Sequence, residues 1–89
     1  MQKEQEKYLS EVESTNKSFL ILYNDEVNTF DFVIDSLIEV CEHDELQAEQ
    51  CALITHHKGK CDVKKGEASV LEKMKNILID RGLSVTVEN

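Results

Sequence analysis

The chain has 89 residues, 31% of them charged, and a formal net charge of -8. A chain of this length predicts a single small domain with a modest core and a shallow surface site. The excess of acidic residues argues against nucleic-acid binding, which needs clustered Lys and Arg, and against an anionic membrane surface. It fits a soluble protein or a protein that binds cationic partners.

The sequence also bears on the compartment. No apolar run approaches the roughly 20 residues that a membrane span needs, and the first 15 residues lack the apolar core of a signal peptide. Three cysteines, Cys41, Cys51 and Cys61, fit free thiols in a reducing compartment better than a disulfide framework. We therefore expect a cytoplasmic protein. The acidic surface charge favours a monomer, and no cofactor is expected.

The amino-terminal segment differs in composition from the rest. Residues 1–17 are rich in Glu, Gln, Lys and Ser, with few bulky apolar side chains. Such a segment cannot offset its ordering entropy by burial, so we expect a flexible arm. The arm is either without a role or a tether that reaches a partner. Residues 18–89 form the predicted domain.

The domain begins with a wholly apolar run from Phe19 to Tyr23, which predicts a strand in the middle of its sheet. Asn28 is the predicted cap of the next helix, with Asp31 as a partial capping-box partner. Apolar residues then recur at helical spacing up to a predicted end near Glu42 and His43: Phe30, Val33, Ile34, Leu37, Ile38 and Cys41.

The second half of the domain continues this alternation. A second helix is predicted from Asp44 to about His57, with Gly59 as its carboxyl-terminal stop. Alternation from Cys61 to Val63 predicts a short strand, which Gly66 ends. A third helix follows, ended by Gly82, with a stripe predicted to be core: Val70, Leu71, Met74, Ile77 and Leu78. A last strand contains Leu83, Val85 and Val87. The predicted order is β-α-α-β-α-β.

Polar groups with acceptor oxygens follow the first strand directly, at Asn24, Asp25 and Glu26. Groups at a strand end are held by a buried element yet remain exposed, so they suit a cationic ligand such as an amine. The alternative is a turn whose acidic groups favour the positive end of the first helix. A second polar cluster, Thr55 to Gly59, ends the second helix.

A metal site or a thiol enzyme is a competing interpretation, because Cys51, His56, His57 and Cys61 lie close in sequence. Cys51 and His56 are five positions apart, which places them about 140° apart around a helix axis. The pairs typical of zinc sites, Cys-x2-Cys and His-x3-His, do not occur. No residue is evident that would orient a histidine base beside a cysteine nucleophile. Both interpretations are therefore weak.

The stretch from Leu20 to Asp35, L-I-L-Y-N-D-E-V-N-T-F-D-F-V-I-D, resembles the start of the ClpS adaptors of the N-end rule. Thr-His-His-Lys-Gly at 55–59 resembles the Val-His-Tyr-Gln-Gly of that family. Cys61-Asp62-Val63, followed by Glu67, resembles its Cys-Gly-Val and a downstream helix glutamate. The resemblance covers about residues 18 to 88.

The resemblance implies a small α/β (α+β) domain, a three-stranded antiparallel sheet packed against three helices. It implies an adaptor, not an enzyme, that reads the first residue of a substrate and delivers it to a Clp-type AAA+ unfoldase of the ClpA or ClpC class. By position, the α-amino group is bound by Asn24, Asp25 and His56. The implied hydrophobic pocket comprises Asn28, Phe30, Val33, Ala52, Thr55 and Leu83, and Glu67 contacts the unfoldase.

Several positions depart from the family pattern. Glu26 replaces the usual second Asp, and Thr29 stands where proline is common. Phe30 stands where a flexible Met is frequent, although it could also be plain core. Ala52 and Thr55 replace larger apolar residues. We expect the larger Phe30 at the pocket entrance to be offset by the smaller Ala52 and Thr55 in its lining. Leu, Phe and Tyr should then fit, while β-branched residues should not.

The alternative function is a protein-interaction module like the carboxy-terminal domain of the acidic ribosomal stalk protein, which has the same element order. Such a module would present a helix face that is often basic. The first helix here carries acidic residues outward, which disfavours this alternative: Asp31, Asp35, Glu39 and Glu42.

Overall fold

The computed structural model describes residues 17–89. Three strands and three helices follow in the order β-α-α-β-α-β, as the sequence predicts: β1 (Lys17–Tyr23), α1 (Phe30–Cys41), α2 (Glu45–Lys58), β2 (Lys60–Glu67), α3 (Ala68–Asp80) and β3 (Ser84–Glu88). The arm predicted for residues 1–17 lies outside the described residues, apart from Lys17, which begins β1.

Strand β1 lies in the middle of a sheet with the order β2-β1-β3, and both pairings are antiparallel. This confirms the prediction from its apolar run. At one end of β1, Tyr23 is opposite Lys60 of β2 and Ser84 of β3; at the other end, Lys17 is opposite Glu67. The two ends of the sheet are therefore well separated.

The core forms where the sheet meets the helices. All elements contribute to one buried cluster, which consists of Leu20, Leu22, Leu37, Cys41, Ala48, Val63, Leu71, Leu78, Leu83 and Val85. The core prediction for α3 was wrong in part, because Val70 and Ile77 are 47% and 48% exposed. The buried face of α3 is centred on Leu71 and Leu78. Val70 and Ile77 each precede one of these residues, so they lie at the edge of that face.

The helix caps differ from the prediction at α1. Its N-cap is Thr29, whose Oγ1 accepts a hydrogen bond from the Phe32 backbone N–H at 3.1 Å. The predicted cap at Asn28, and the capping box built on it with Asp31, were therefore wrong. Asp44 caps α2 by accepting from the Gln47 N–H at 2.7 Å.

Of two glycines predicted to end elements, one does so and the other does not. Gly59 ends α2 in the left-handed region, with φ of 94°, as predicted. Gly66 does not end β2, which continues to Glu67 with Gly66 opposite Ser18 of β1. The ladder to β1 therefore outweighs the low strand propensity of glycine at this position.

The turn between α1 and α2 is anchored by His43, which is 4% exposed. Its Nε2 lies 2.6 Å from the Val63 carbonyl oxygen of β2, and Nδ1 has no hydrogen-bond partner. The preceding residue, Glu42, ends α1 with φ of 61°. A residue with a Cβ atom is strained there by about 1–2 kcal/mol.

We expect Glu42→Gly to stabilise the domain by about 1 kcal/mol, because glycine adopts the left-handed conformation without steric cost. Urea unfolding followed by circular dichroism measures the change. Glu42→Ala is the matched control, since it removes the same charge but keeps Cβ. A stability gain of equal size in both variants would contradict the explanation.

Candidate functional site

A cavity of about 420 Å³ opens where the end of β1, the β1–α1 loop (residues 24–29) and the facing turns of α1 and α2 meet. It is lined by Leu22, Tyr23, Asn24, Asp25, Glu26, Asn28, Phe30, Val33, Ala52, Thr55 and His56. Its volume is near the lower end of the roughly 300–1,000 Å³ typical of small-molecule sites. It therefore suits one or two residues of a peptide better than a long segment.

Asn24 and His56 come together because β1 and the end of α2 are joined through the backbone. The Asn24 N–H donates to the Gly59 carbonyl oxygen at 2.9 Å, directly beyond the last turn of α2 that carries His56. Both side chains are exposed. Their acceptor atoms are therefore available at the mouth of the cavity.

Asp25 is half-buried and organises the loop. Its Oδ1 accepts from the backbone N–H groups of Val27 and Asn28 at 2.9 and 2.8 Å, and its Oδ2 accepts from Asn28 Nδ2 at 3.0 Å. Partial burial alone would raise the pKa of Asp25, but the hydrogen bonds from Asn28 and Val27 outweigh it and lower the pKa below its usual value. The carboxylate stays ionised in mildly acidic solution.

The lining also includes buried side chains that carry no charge. Ala52 and Thr55 of α2 are 3% and 4% exposed, whereas Phe30 at the start of α1 is 42% exposed, which rules out plain core for Phe30. Thr55 Oγ1 donates to the Cys51 carbonyl oxygen at 2.7 Å, so its hydrogen-bonding need is met within α2. A side chain that enters between Phe30 and Ala52 would meet mainly carbon atoms.

Eight of the residues that sequence reasoning assigned to amine binding or to the pocket line this one cavity: Asn24, Asp25, His56, Asn28, Phe30, Val33, Ala52 and Thr55. Leu83 does not line it; it is 3% exposed and belongs to the core. The sequence placed Glu26 among the polar groups that follow β1 but gave it no assigned role, and it omitted Leu22 and Tyr23. Adjacency to Asn24 and Asp25 was the available signal, since residues at a strand end share the mouth of any site there.

The amino-acid sequence matches the family model described as the ATP-dependent Clp protease adaptor protein ClpS, over residues 13–86. The chain belongs to the ClpS family. This confirms the family membership that the residue motifs indicated. The protein is therefore an adaptor of the Clp protease family. No curated protein matches the chain in sequence.

A solved structure similar to this ClpS-family chain is that of Agrobacterium tumefaciens ClpS2 bound to L-phenylalaninamide. It has 23% sequence identity and a TM-score of 0.78, and the match covers 82% of this chain and 95% of that one. The likeness confirms the β-α-α-β-α-β fold with its three-stranded antiparallel sheet.

Glu67, the position matched to the unfoldase contact, lies away from the cavity. It is exposed, ends β2 and precedes α3 without capping it through its side chain. Its strand partner is Lys17, at the end of β1 opposite to Tyr23. Six residue steps of about 3.3 Å separate these ends by roughly 20 Å.

The thiols of this ClpS-family protein are in environments that oppose ionisation. Burial raises the pKa of Cys41 to about 11. Burial, with the neighbouring Cys51 thiol and Asp62, raises that of Cys61 to about 12, and burial also raises the pKa of Cys51. Nucleophilic cysteines need the opposite shift. In residues 17–89, no three His, Cys, Asp or Glu side chains are grouped to hold a metal ion.

None of the helices within residues 17–89 combines the length and the apolar character that a membrane crossing requires.

We expect the three thiols to be alkylated slowly in the native protein at pH 7.5. The pKa of about 12 for Cys61 leaves it roughly a thousandfold less thiolate than a thiol of ordinary pKa. Iodoacetamide labelling followed by mass spectrometry measures the rate, with the urea-unfolded protein as reference. Faster labelling of any thiol in the native state than in urea would reveal an activated cysteine.

Proposed function

We propose that this protein binds the free α-amino group and the large apolar side chain at the start of a polypeptide, and delivers that polypeptide to a Clp-type AAA+ unfoldase and protease. The observation that carries the proposal is the cavity itself. Its mouth carries the acceptor groups of Asn24, Asp25 and His56, and its walls are apolar. These are the two features that an unblocked first residue requires.

An α-amino group has a pKa of about 7.7 to 8.0 and is largely a cation with three N–H donors at neutral pH. Asn24 offers its amide oxygen and His56 an unprotonated ring nitrogen. Asp25 supplies negative charge, directly or through water. Hydrogen bonds to a charged group contribute about 1.5–3 kcal/mol each. Acetylation of the amine removes the charge and most of the donors, so it would abolish this recognition.

The apolar walls select the side chain. Phe30 is 42% exposed, whereas the small side chains of Ala52 and Thr55 are almost fully buried. We infer that Phe30 narrows the entrance of the cavity and that the small residues leave room for the bulk of a ligand's side chain. Leu, Phe and Tyr, which are not branched at Cβ, would place their bulk beyond Phe30, where burial contributes roughly 1.5–3 kcal/mol. A β-branched side chain would meet Phe30 instead.

The ligand of the similar ClpS2 structure supports this choice of substrate. L-Phenylalaninamide has a free α-amino group and a benzyl side chain, and its carboxyl group is an amide, as in the first residue of a polypeptide. We infer that the cavity of this protein receives the same chemical pattern.

Delivery requires a second surface that remains free while a substrate occupies the cavity. We propose that Glu67 belongs to this surface and contacts an unfoldase of the ClpA or ClpC class. Its position at the far end of β1 and β2 supports the proposal, since an unfoldase docked there would not cover the cavity.

We expect fluorescent peptides that begin with Phe or Leu to bind, and acetyl-Phe peptides to bind at least about a hundredfold more weakly. Peptides that begin with Ile should bind about tenfold more weakly than the Leu peptide, because of the clash at Phe30. Fluorescence anisotropy measures all four. Equal binding of Ile and Leu peptides would refute the selection by Phe30, and failure of the Phe peptide to bind would refute the proposed function.

Asn24→Ala and His56→Ala should each weaken the Phe peptide about tenfold. Neither side chain is buried, so the thermal unfolding midpoint should change little. His57→Ala is the matched control, because His57 is an exposed neighbour of His56 that does not line the cavity. If His57→Ala weakened binding as much as His56→Ala, the assignment of His56 would be wrong.

Glu67→Lys should slow degradation of a Phe-initiated reporter by the Clp protease about fivefold, with the peptide affinity unchanged. Glu49→Lys, on the exposed surface of α2, makes the same charge change elsewhere and should leave the rate unaltered. A loss of peptide affinity in Glu67→Lys would show that the two surfaces are not independent.

A further inference from the structure

The side-chain amide of Asn28 bridges two separate parts of the chain. Its Nδ2 donates to Asp25 Oδ2 at 3.0 Å, within the β1–α1 loop, and to the Gly82 carbonyl oxygen at 2.9 Å, in the turn between α3 and β3. A primary amide has two N–H donors. Both are used by the protein, so Asn28 has none left for a ligand although it lines the cavity.

The bridge matters because the middle of the loop has few other attachments. The loop is held at one end by the Asn24 N–H to Gly59 bond, and at the other by the start of α1. Within residues 25–28, the backbone N–H groups of Val27 and Asn28 donate only to Asp25. In the part of the chain that the structure describes, Asn28 to Gly82 is the one hydrogen bond that joins this segment to another element.

The acceptor at Gly82 is held firmly. The Gly82 N–H donates to the Ile79 carbonyl oxygen at 2.8 Å, and its φ of 93° is a conformation that glycine adopts without strain. The preceding residue, Arg81, pairs with Glu39 of α1 at 2.7 Å. The α3–β3 turn is thus attached to two helices, and Asn28 connects the loop to it.

We propose that Asn28 is the positioning residue of the amine site: it holds the Asp25 carboxylate against the α3–β3 turn, so that the acceptor groups of the loop are in place before a ligand arrives. Its effect on binding rests on the function proposed above. The sequence assigned Asn28 to the hydrophobic pocket. Because both of its N–H donors bond to the protein, its role is through Asp25.

A pH readout separates this role from a general loss of stability. The Asn28 backbone and side chain are among the hydrogen-bond donors that lower the pKa of Asp25. Loss of the side-chain donor therefore raises that pKa, and the pH below which Asp25 loses its charge moves upward. The other titratable groups on the cavity wall are Tyr23, Glu26 and His56, and Arg81 adjoins Gly82. The substitution replaces none of these groups.

The experiment compares Asn28→Ala with Asn76→Ala, an exposed asparagine on α3. The Asp25 carboxyl carbon is titrated by NMR without peptide, and the affinity for a Phe-initiated peptide is measured at neutral pH. We expect Asn28→Ala to raise the Asp25 midpoint and to weaken the peptide about tenfold. Asn76→Ala should match the wild type. Asn28→Ser keeps a single donor, which cannot bridge both acceptors, and should be intermediate.

An Asp25 midpoint in Asn28→Ala equal to that of the wild type would overturn the proposal, as would a raised midpoint with unchanged peptide affinity. If Asn28→Ala failed to fold, Asn28→Ser would decide by the same two measurements. If the wild type bound no peptide while the Asp25 midpoint still rose in Asn28→Ala, the bridge would stand and the proposed function would fail.

Discussion

Hydrogen bonding of β1 along both of its edges is the constraint on which the cavity depends. The central strand carries the wholly apolar run, and its register with β2 and β3 aligns Tyr23 with Lys60 and Ser84. The next residue, Asn24, leaves the sheet but still donates to Gly59. The polar loop therefore begins from a position that two ladders determine, which is the preorganisation that a recognition site needs.

The division between a polar mouth and an apolar floor follows from the cost of burying charge. An unpaired carboxylate in a low-dielectric interior is strongly unfavourable. Here Asn24, Glu26 and His56 are exposed to water. Asp25 is half-buried, and three hydrogen bonds from its own loop compensate it. The buried lining residues Ala52 and Thr55 carry no charge. A domain with so small a core can accommodate such a site because the costly groups stay at its rim.

The sequence was sufficient for features that local patterns determine. Apolar runs and helical spacing predicted the element order and the central strand, and motif positions brought Asn24, Asp25 and His56 to one place. It failed where distant contacts decide. Asn28 and Thr29 are both competent caps, and the bond to Gly82, 54 positions away, directs Asn28 elsewhere. Likewise, no local pattern distinguishes Leu83, which packs into the core, from a residue that faces the cavity.

The same antiparallel pair that supports the cavity also sets its distance from Glu67. β1 and β2 are joined from Tyr23 and Lys60 at one end to Lys17 and Glu67 at the other, with one irregularity between Leu20 and Ile21. A hydrogen-bonded ladder of this length resists extension and bending. Either change would break backbone hydrogen bonds and leave their N–H and C=O groups without partners in the sheet. Under the proposed function, a substrate at one end and an unfoldase at the other would therefore be held about 20 Å apart by this ladder. Both partners would then bind one scaffold at the same time.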